Sequence, residues 1–261
     1  MEAARLFDLE GSVAVVTGGS RGLGRVMAGA LAEAGADVVV ASRKLDACER
    51  AAAEIHAATG RTVVPYACHV GHWDQVERLA GFVADRFPGG PDILVNNAGM
   101  SPLYDRLSGV TEALYDKVMD VNLKGPFRLS VLLAEQMAAA KGGSILNISS
   151  AAARHPRPNA AIYGMAKAGL NTMTTALAYA YGPQVRVNSV LCGPFLTDIS
   201  RSWDPEESSA TFSRTLALQR PAQASEIVGT MLYLVSRASS YTTGAALSVD
   251  GGYAPPSRDA G

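Results

Sequence analysis

The chain has 261 residues and a net charge of −1; 48% of its residues are hydrophobic and 18% are charged. This length predicts one or two domains with a core that needs no disulfide or metal to hold it together. The composition excludes a disordered chain, and the balanced charge provides no basic field for binding nucleic acid or an anionic membrane.

Targeting and membrane segments are not expected. Residues 1–11 contain Glu2, Asp8 and Glu10 and no apolar run, unlike a signal or transit peptide. No stretch approaches the roughly 18 apolar residues needed to cross a bilayer. Three scattered cysteines form neither a metal-spaced pair nor a disulfide framework, so we expect a protein of the reducing cytoplasm.

In chain order, short apolar runs alternate with segments of helical spacing. The first run, at residues 13–16, ends in a glycine-rich stretch, and a helical segment follows at 23–34. Further strands are predicted at residues 38–40, 62–67, 93–95, 144–148, 185–190 and 246–249. Further helices are predicted at residues 45–59, 73–87, 111–140 (one or two helices, with a bend at Gly125 and Pro126), 160–181 and 226–235.

This alternation predicts one α/β domain over residues 1–261, with a doubly wound, Rossmann-like sheet of seven parallel strands. Right-handed crossovers would place helices on both faces of the sheet. The strands are continuously apolar, as burial on both faces requires. Residues 196–220 are irregular, too short for a domain and long enough for a substrate-binding lid.

A glycine-rich loop, TGGSRGLG at residues 17–24, joins the first strand to the first helix. Gly18, Gly22 and Gly24 would let the backbone turn tightly and approach a pyrophosphate, to which the helix N-terminus offers free N–H groups. Elsewhere three glycines could be an ordinary turn. After the first strand of an alternating chain, they predict a dinucleotide site.

The end of the second strand bears on which dinucleotide is bound. Ser42, Arg43 and Lys44 stand where an acidic residue would take the 2′-hydroxyl of the adenosine ribose. Together with Arg21 in the loop, they favour a 2′-phosphate, because a guanidinium can bind phosphate with two hydrogen bonds. The sequence therefore favours NADP(H) over NAD(H). The alternative is that Arg43 and Lys44 only solvate a turn.

Tyr163 and Lys167 are four residues apart on a predicted helix and share one face. An ammonium about 4 Å from the phenol would lower its pKa by roughly three units, so that it could exchange protons near neutral pH. Such a pair is common by chance. However, Ser150 and residues 96–99 (NNAG) end the neighbouring strands at the sheet edge where ligands bind, and Asn122 follows in the next helix.

In these motifs the chain resembles the classical short-chain dehydrogenase/reductase family over about residues 9–253, including VDGG at 249–252. The resemblance implies an NAD(P)-dependent enzyme that interconverts carbonyls and secondary alcohols. It makes Tyr163 the acid/base, and Ser150 the group that holds the substrate oxygen. It implies that Lys167 lowers the Tyr163 pKa and binds the nicotinamide ribose. Asn122 would shape the active-site helix and hold a water in the proton path.

The same resemblance implies the cofactor-binding residues and no metal ligand. Asn97, Ala98 and Gly99 would border the adenosine ribose, and Thr197 would lie near the carboxamide or phosphate. The full set is Gly18, Ser20, Arg21, Gly22, Leu23, Gly24, Ser42, Arg43, His69, Val70, Asn97, Ala98, Gly99, Tyr163, Lys167, Gly193, Phe195 and Thr197.

Two positions depart from the family pattern. His69 stands where a carboxylate normally accepts from the adenine amino group, so His69 either accepts through a ring nitrogen or stacks on the ring. Cys192 stands where the family has proline. It could be a reactive thiol, but we expect a small buried filler.

The sequence leaves the substrate open. A sugar, polyol or other small-molecule carbonyl competes with a 3-oxoacyl thioester on an acyl carrier protein, which would need a basic entrance; Arg128, Arg154 and Arg157 are candidates for it. A non-catalytic dinucleotide sensor would be expected to lack one of Ser150, Tyr163 and Lys167. All three are present, so the sequence favours an enzyme over a sensor.

A homotetramer is expected from the helices at residues 111–140 and 160–181. Their apolar residues spread around each helix rather than forming one stripe, and the resemblance implies that these helices pair across a two-fold axis. The residues are Leu129, Leu132, Leu133, Met165, Leu170, Met173 and Leu177.

Overall fold

The computed structural model describes residues 3–197 and 211–254. The strands in this part are β1 (Val13–Thr17), β2 (Asp37–Ser42), β3 (Val63–Ala67), β4 (Ile93–Asn96), β5 (Gly143–Ser150), β6 (Val185–Cys192), β7 (Phe195–Leu196), β8 (Ala222–Gln223) and β9 (Ala246–Val249). The α-helices with both ends in this part are α1 (Gly22–Glu33), α2 (Leu45–Thr59), α3 (Trp73–Arg86), α4 (Glu112–Met119), α5 (Gly125–Ala139), α6 (Ala161–Tyr181) and α7 (Val228–Val235).

Seven strands form one parallel sheet in the order β3-β2-β1-β4-β5-β6-β9, which confirms the predicted doubly wound architecture. The chain reverses its direction of progress across the sheet between β1 and β4. In open α/β sheets, ligands bind at the carboxyl ends of the strands on either side of such a switch point. The topology therefore places a crevice between the ends of β1 and β4.

Helices cover both faces of the sheet and bury two apolar cores. On one face α1, α2 and α7 pack through side chains such as Met27, Ile55 and Met231. On the other, α3, α5 and α6 pack through Leu79, Leu133 and others. The five inner strands, β2, β1, β4, β5 and β6, are almost wholly buried because helices cover them from both sides, whereas the edge strands β3 and β9 are more exposed.

Two segments differ from the sequence prediction. Asp120–Lys124 forms a π-helical turn that continues α4 into α5, where we expected a bend at Gly125. The segment predicted as an irregular lid, residues 196–220, is flanked by the short parallel pair of β7 and β8 and has helical residues at 211–215; its residues 198–210 lie outside the described chain. No helix in the described part combines the length and hydropathy needed to span a membrane.

The apolar helix residues that suggested a tetramer are mostly buried within the chain itself. Leu129, Leu133, Leu170, Met173 and Leu177 all face the core, so they do not form a surplus apolar surface. Met165 does remain exposed on α6, and α5 exposes Phe127.

Candidate active site

The ends of β1 and β4 are joined by hydrogen bonds that shape the crevice. The Thr17 hydroxyl accepts from the main-chain nitrogens of Asn97 and Ala98, each at 3.1 Å. The Asn97 side-chain amide donates to the main-chain oxygen of Thr17 at 3.0 Å. Gly18 has φ +64°, and a β-carbon there would lie 2.8 Å from the Asn97 amide nitrogen. A larger residue at position 18 would therefore displace Asn97.

The glycine loop leaves the N-terminus of α1 accessible. A β-carbon at Gly24 would collide with the main-chain oxygen of Gly18, so only glycine lets the helix approach the strand this closely. Arg21, the N-cap residue, makes no side-chain capping hydrogen bond. The first N–H groups of α1 are thus available to an anion, with the positive end of the helix dipole behind them.

A cleft of about 360 Å³ opens at the sheet edge between this loop and α6. The residues predicted to bind cofactor or substrate that line it are Gly18, Arg21, Gly22, Leu23, Asn97, Gly99, Ser150, Tyr163, Lys167, Gly193, Phe195 and Thr197. The predicted residues that do not line it are Ser20, Gly24, Ser42, Arg43, His69, Val70, Ala98 and Asn122.

Ser150, Tyr163 and Lys167 meet at one end of this cleft. Ser150 ends β5, and its hydroxyl interacts with the Tyr163 hydroxyl on the first turn of α6. One turn later, the Lys167 ammonium lies 5.7 Å from the centre of the Tyr163 ring and donates to the main-chain oxygen of Ile148 at 2.8 Å. The predicted cluster is therefore assembled, but the ammonium hydrogen-bonds to the backbone.

The expected lowering of the Tyr163 pKa by Lys167 is not found. Burial raises the pKa of Tyr163, and the hydrogen bond with Ser150 only partly opposes this shift. Burial also lowers the pKa of Lys167 to about 8. The phenol is therefore protonated at neutral pH, because desolvation of the phenolate dominates over the more distant ammonium.

Asn122 lies within the π-helical turn, and its side chain is fixed by three hydrogen bonds. Its oxygen accepts from the main-chain nitrogen of Met100 at 3.2 Å. Its nitrogen donates to the main-chain oxygens of Met100 and Val118, both at 2.9 Å. A β-carbon at Gly99 would lie 2.9 Å from the Asn122 side-chain oxygen and 3.7 Å from Lys167 Nζ. Asn122 therefore links the loop after β4 to the end of α4 and the π-helical turn.

The end of β2 and the loop after β3 lie beyond β1 in the same sheet and do not line the cleft. Arg43 is exposed and makes no hydrogen bond or ion pair with the described residues. The His69 ring is half-buried, and its Nδ1 accepts from the main-chain nitrogen of Gly71 at 3.1 Å. Burial, with help from the charges of His72 and Arg43, lowers the pKa of His69.

This geometry contradicts the expected acceptor role of His69. The Nδ1 lone pair is already used, so in the neutral ring Nε2 carries the hydrogen and can only donate. The sequence could not show this, because the tautomer depends on the turn that brings Gly71 back to the ring. The stacking alternative is not affected.

A second cavity, of about 460 Å³, adjoins the first at Ser150 and Tyr163. Cys192 lines both cavities; it is buried, and burial raises the pKa of its thiol to about 12. The thiol is therefore neutral, as expected of a filler. Residues of this cavity that the sequence did not single out include Leu103, His155, Leu216 and Tyr253. Nothing in their local pattern marked them, because the tertiary fold alone brings them together.

Comparison with known proteins extends over nearly the whole chain. A family model described as "Enoyl-(Acyl carrier protein) reductase" matches residues 18–254. The human protein named "Dehydrogenase/reductase SDR family member 4" is 36% identical over 252 residues, covering 96% of this chain and 89% of the relative.

Solved structures also match over nearly the whole chain. L-sorbose reductase from Gluconobacter frateurii, complexed with NADPH and L-sorbose, has a TM-score of 0.90 at 27% identity, covering 97% of this chain and all of the other. A 7α-hydroxysteroid dehydrogenase, complexed with NADH and 7-oxo glycochenodeoxycholic acid, has a TM-score of 0.90 at 30% identity, covering 98% and 99% of the two chains.

Proposed function

The chain belongs to the short-chain dehydrogenase/reductase family, and on that basis we propose that it transfers a hydride between NADP(H) and a small-molecule carbonyl or secondary alcohol. As a member of this family it is an NAD(P)-dependent oxidoreductase acting on CH–OH groups. The observation that carries the finer proposal is the meeting of Ser150, Tyr163 and Lys167 in one cleft.

The crevice fits a dinucleotide on two observations. Gly18 and Gly24 let the loop pack closely against Asn97 and the start of α1, and the uncapped start of α1 supplies free N–H groups for a pyrophosphate. Asn97 and Gly99 would hold the adenosine side, while Lys167, Gly193 and Thr197 would hold the nicotinamide side. When bound, the nicotinamide supplies or accepts the hydride.

We assign the preference for NADP(H) to Arg43, with Arg21 as the second cation. Arg43 follows Ser42 at the end of β2, is exposed, and has no carboxylate partner among the described residues. A free guanidinium at this position matches a 2′-phosphate, whereas a ribose hydroxyl would need an acceptor. Related structures contain NADPH in one case and NADH in another, so the preference rests on Arg43.

In the reducing direction, Tyr163 donates its proton to the substrate oxygen as the hydride arrives. Burial keeps the phenol protonated and thus ready to donate. Ser150 holds the same oxygen by a hydrogen bond, and the Lys167 ammonium stabilises the phenolate that forms. Asn122 acts through Met100 and Gly99, whose positions it fixes. Both of its amide hydrogens are used, so a water would bind through a remaining oxygen lone pair.

A free small molecule is a better substrate than a carrier-bound thioester. Of the three arginines that could have formed a basic entrance, Arg128 is paired with Glu77 and stacks on Trp73, and Arg154 donates to Ser248. Of the three, Arg157 is the one that lines the second cavity. These placements do not form the cationic patch that an acidic carrier would need. The complete Ser150–Tyr163–Lys167 set argues against a non-catalytic sensor.

The proposal is tested by a screen of carbonyl and alcohol compounds with all four nicotinamide cofactors, following nicotinamide absorbance. Turnover with NADPH or NADP⁺ that disappears in Tyr163→Phe is expected. A purified, folded enzyme that binds NADPH but converts no compound in the panel would contradict the proposed reaction.

We also propose a cytoplasmic location and a homotetramer. The location is supported by three free, buried cysteines, which suit a reducing compartment. Fractionation of cells that express the protein at its natural level tests the location, and recovery in another compartment would refute it. The assembly is supported by the exposed apolar side chains of α5 and α6, and its test is given below.

A further inference from the structure

The second cavity is lined by basic side chains and by no acidic side chain of the described residues. The basic residues that line it are Arg157 and His155. Ser150 and Tyr163, where the proposed reaction takes place, lie on the wall that this cavity shares with the first one. Between the two ends the wall combines the apolar side chains of Leu103, Phe212 and Leu216 with the polar side chains of Thr211 and Tyr253. This sequence of surfaces describes a substrate with a reacting oxygen, a partly apolar body and an anionic group.

Arg157 stands out among the arginines near this region. Its side chain makes no hydrogen bond or ion pair with any described residue. In contrast, neighbouring Arg154 donates to the Ser248 hydroxyl at 3.2 Å, and Arg128 is paired with Glu77. An unpaired guanidinium at the rim of a cavity offers two parallel N–H donors, a geometry that matches a carboxylate.

The start of α6 adds to the positive potential of the same cavity. Ala160, which precedes this helix of 21 residues, lines the cavity and supplies no side-chain cap. The positive end of the helix dipole therefore borders the space next to Arg157. Both features favour an anionic group on the substrate.

We propose that the natural substrate is an oxo acid or hydroxy acid whose carboxylate binds Arg157 while its carbonyl or hydroxyl faces Tyr163. This assignment rests on the proposed function, and it names the substrate class of the same site. A single guanidinium suits a carboxylate, with its one charge, better than a phosphate dianion. Arg157 is accordingly a specificity-determining residue.

The test compares matched acid and neutral compounds of increasing length. The probes are 4-oxo-4-phenylbutanoate, 5-oxo-5-phenylpentanoate and 6-oxo-6-phenylhexanoate, each beside its primary amide, with NADPH as reductant. At the best length, kcat/KM for the acid is expected to exceed that for the amide at least about tenfold, mainly through KM. Arg157→Gln should bring this ratio close to one, and Arg157→Lys should retain part of it. Arg154→Gln is the matched control and should keep the wild-type ratio.

Calorimetric titration of the acids into the enzyme with NADP⁺ separates this proposal from the proposed reaction. If the acid binds more tightly than the amide and this difference is lost in Arg157→Gln, the carboxylate site is supported, whether or not the probes are reduced. If the probes bind in this way but none is reduced, the result counts against the proposed reaction and not against the carboxylate site. An acid-to-amide ratio near one in both turnover and binding at every length overturns the role of Arg157. An equal loss for acid and amide in Arg157→Gln also overturns it.

Discussion

The Lys167 ammonium donates to the main-chain oxygen of Ile148, 2.8 Å away, and so fastens helix α6 to strand β5 two residues before Ser150. This hydrogen bond sets the separation between Lys167 and Tyr163, because it holds the ammonium against the strand. The lysine is buried, and its pKa is lowered to about 8. The same residue thus has a structural role and a role in the proposed chemistry, and the two can be measured separately.

Lys167→Met is expected to remove a pH dependence of stability. Between about pH 8 and 10.5, the unfolded chain holds a proton on this lysine that the folded chain has lost, so wild-type stability rises with pH. Between about pH 7.5 and 9.5, Lys167 should increase the free energy of unfolding of the wild-type protein by about 2 kcal/mol. Urea unfolding of both proteins at these two pH values measures it. Parallel pH dependences would contradict the lowered pKa.

Tyr163→Phe is expected to reduce kcat at least about a hundredfold, because it deletes the only oxygen of the side chain proposed to transfer the proton. Cofactor binding, followed by NADPH fluorescence, should stay close to wild type. A folded variant that keeps more than about a tenth of wild-type kcat would rule out Tyr163 as the acid.

Arg43→Ala is expected to weaken NADPH binding at least about tenfold and to leave NADH binding within about twofold. The reason is that its guanidinium has no hydrogen-bond partner among the described residues and that Arg43 directly follows β2, where we propose that the 2′-phosphate binds. Arg50→Ala is the matched control, because Arg50 is already paired with Asp46 on α2. Equal losses for the two cofactors in Arg43→Ala would show that Arg43 does not recognise the phosphate.

His69→Leu is expected to weaken NADPH and NADH equally, by about three- to tenfold, if Nε2–H donates to the adenine ring. Because the pKa of His69 is lowered, NADPH affinity should also be nearly constant from about pH 7.5 to 6.5. Fluorescence titrations provide both results. His56→Leu, on the outer end of α2, is the control. A steep fall in affinity across this pH range would restore the acceptor role.

The protein is expected to have a mass of four chains in light scattering at micromolar concentration. Phe127 and Met165 keep 44% and 49% of their surface exposed on α5 and α6, although most apolar residues of these helices are buried. Replacing both with glutamate should produce smaller species that retain the fold by circular dichroism. A monomeric mass for the unmodified protein would exclude the tetramer.

The sequence predicted the strands and helices closely because their signals are local. The run before Gly18, for example, is β-branched at every position except Ala14, and Gly60 follows the end of α2 with positive φ. The site was predictable in outline because parallel strands end at one edge. The π turn around Asn122, the tautomer of His69 and the neighbours of Arg157 were not predictable, since each depends on groups distant in sequence.

The π turn at Asp120–Lys124 has a consequence for how this chain can vary in length. Its wider hydrogen-bonding pattern accommodates one residue more than an uninterrupted α-helix would. Deleting one residue there would remove the bulge and restore α-helical geometry through the turn. Asn122 would then no longer be placed to donate to both Met100 and Val118. Insertions and deletions should therefore be tolerated in the exposed loops and selected against between Val118 and Gly125.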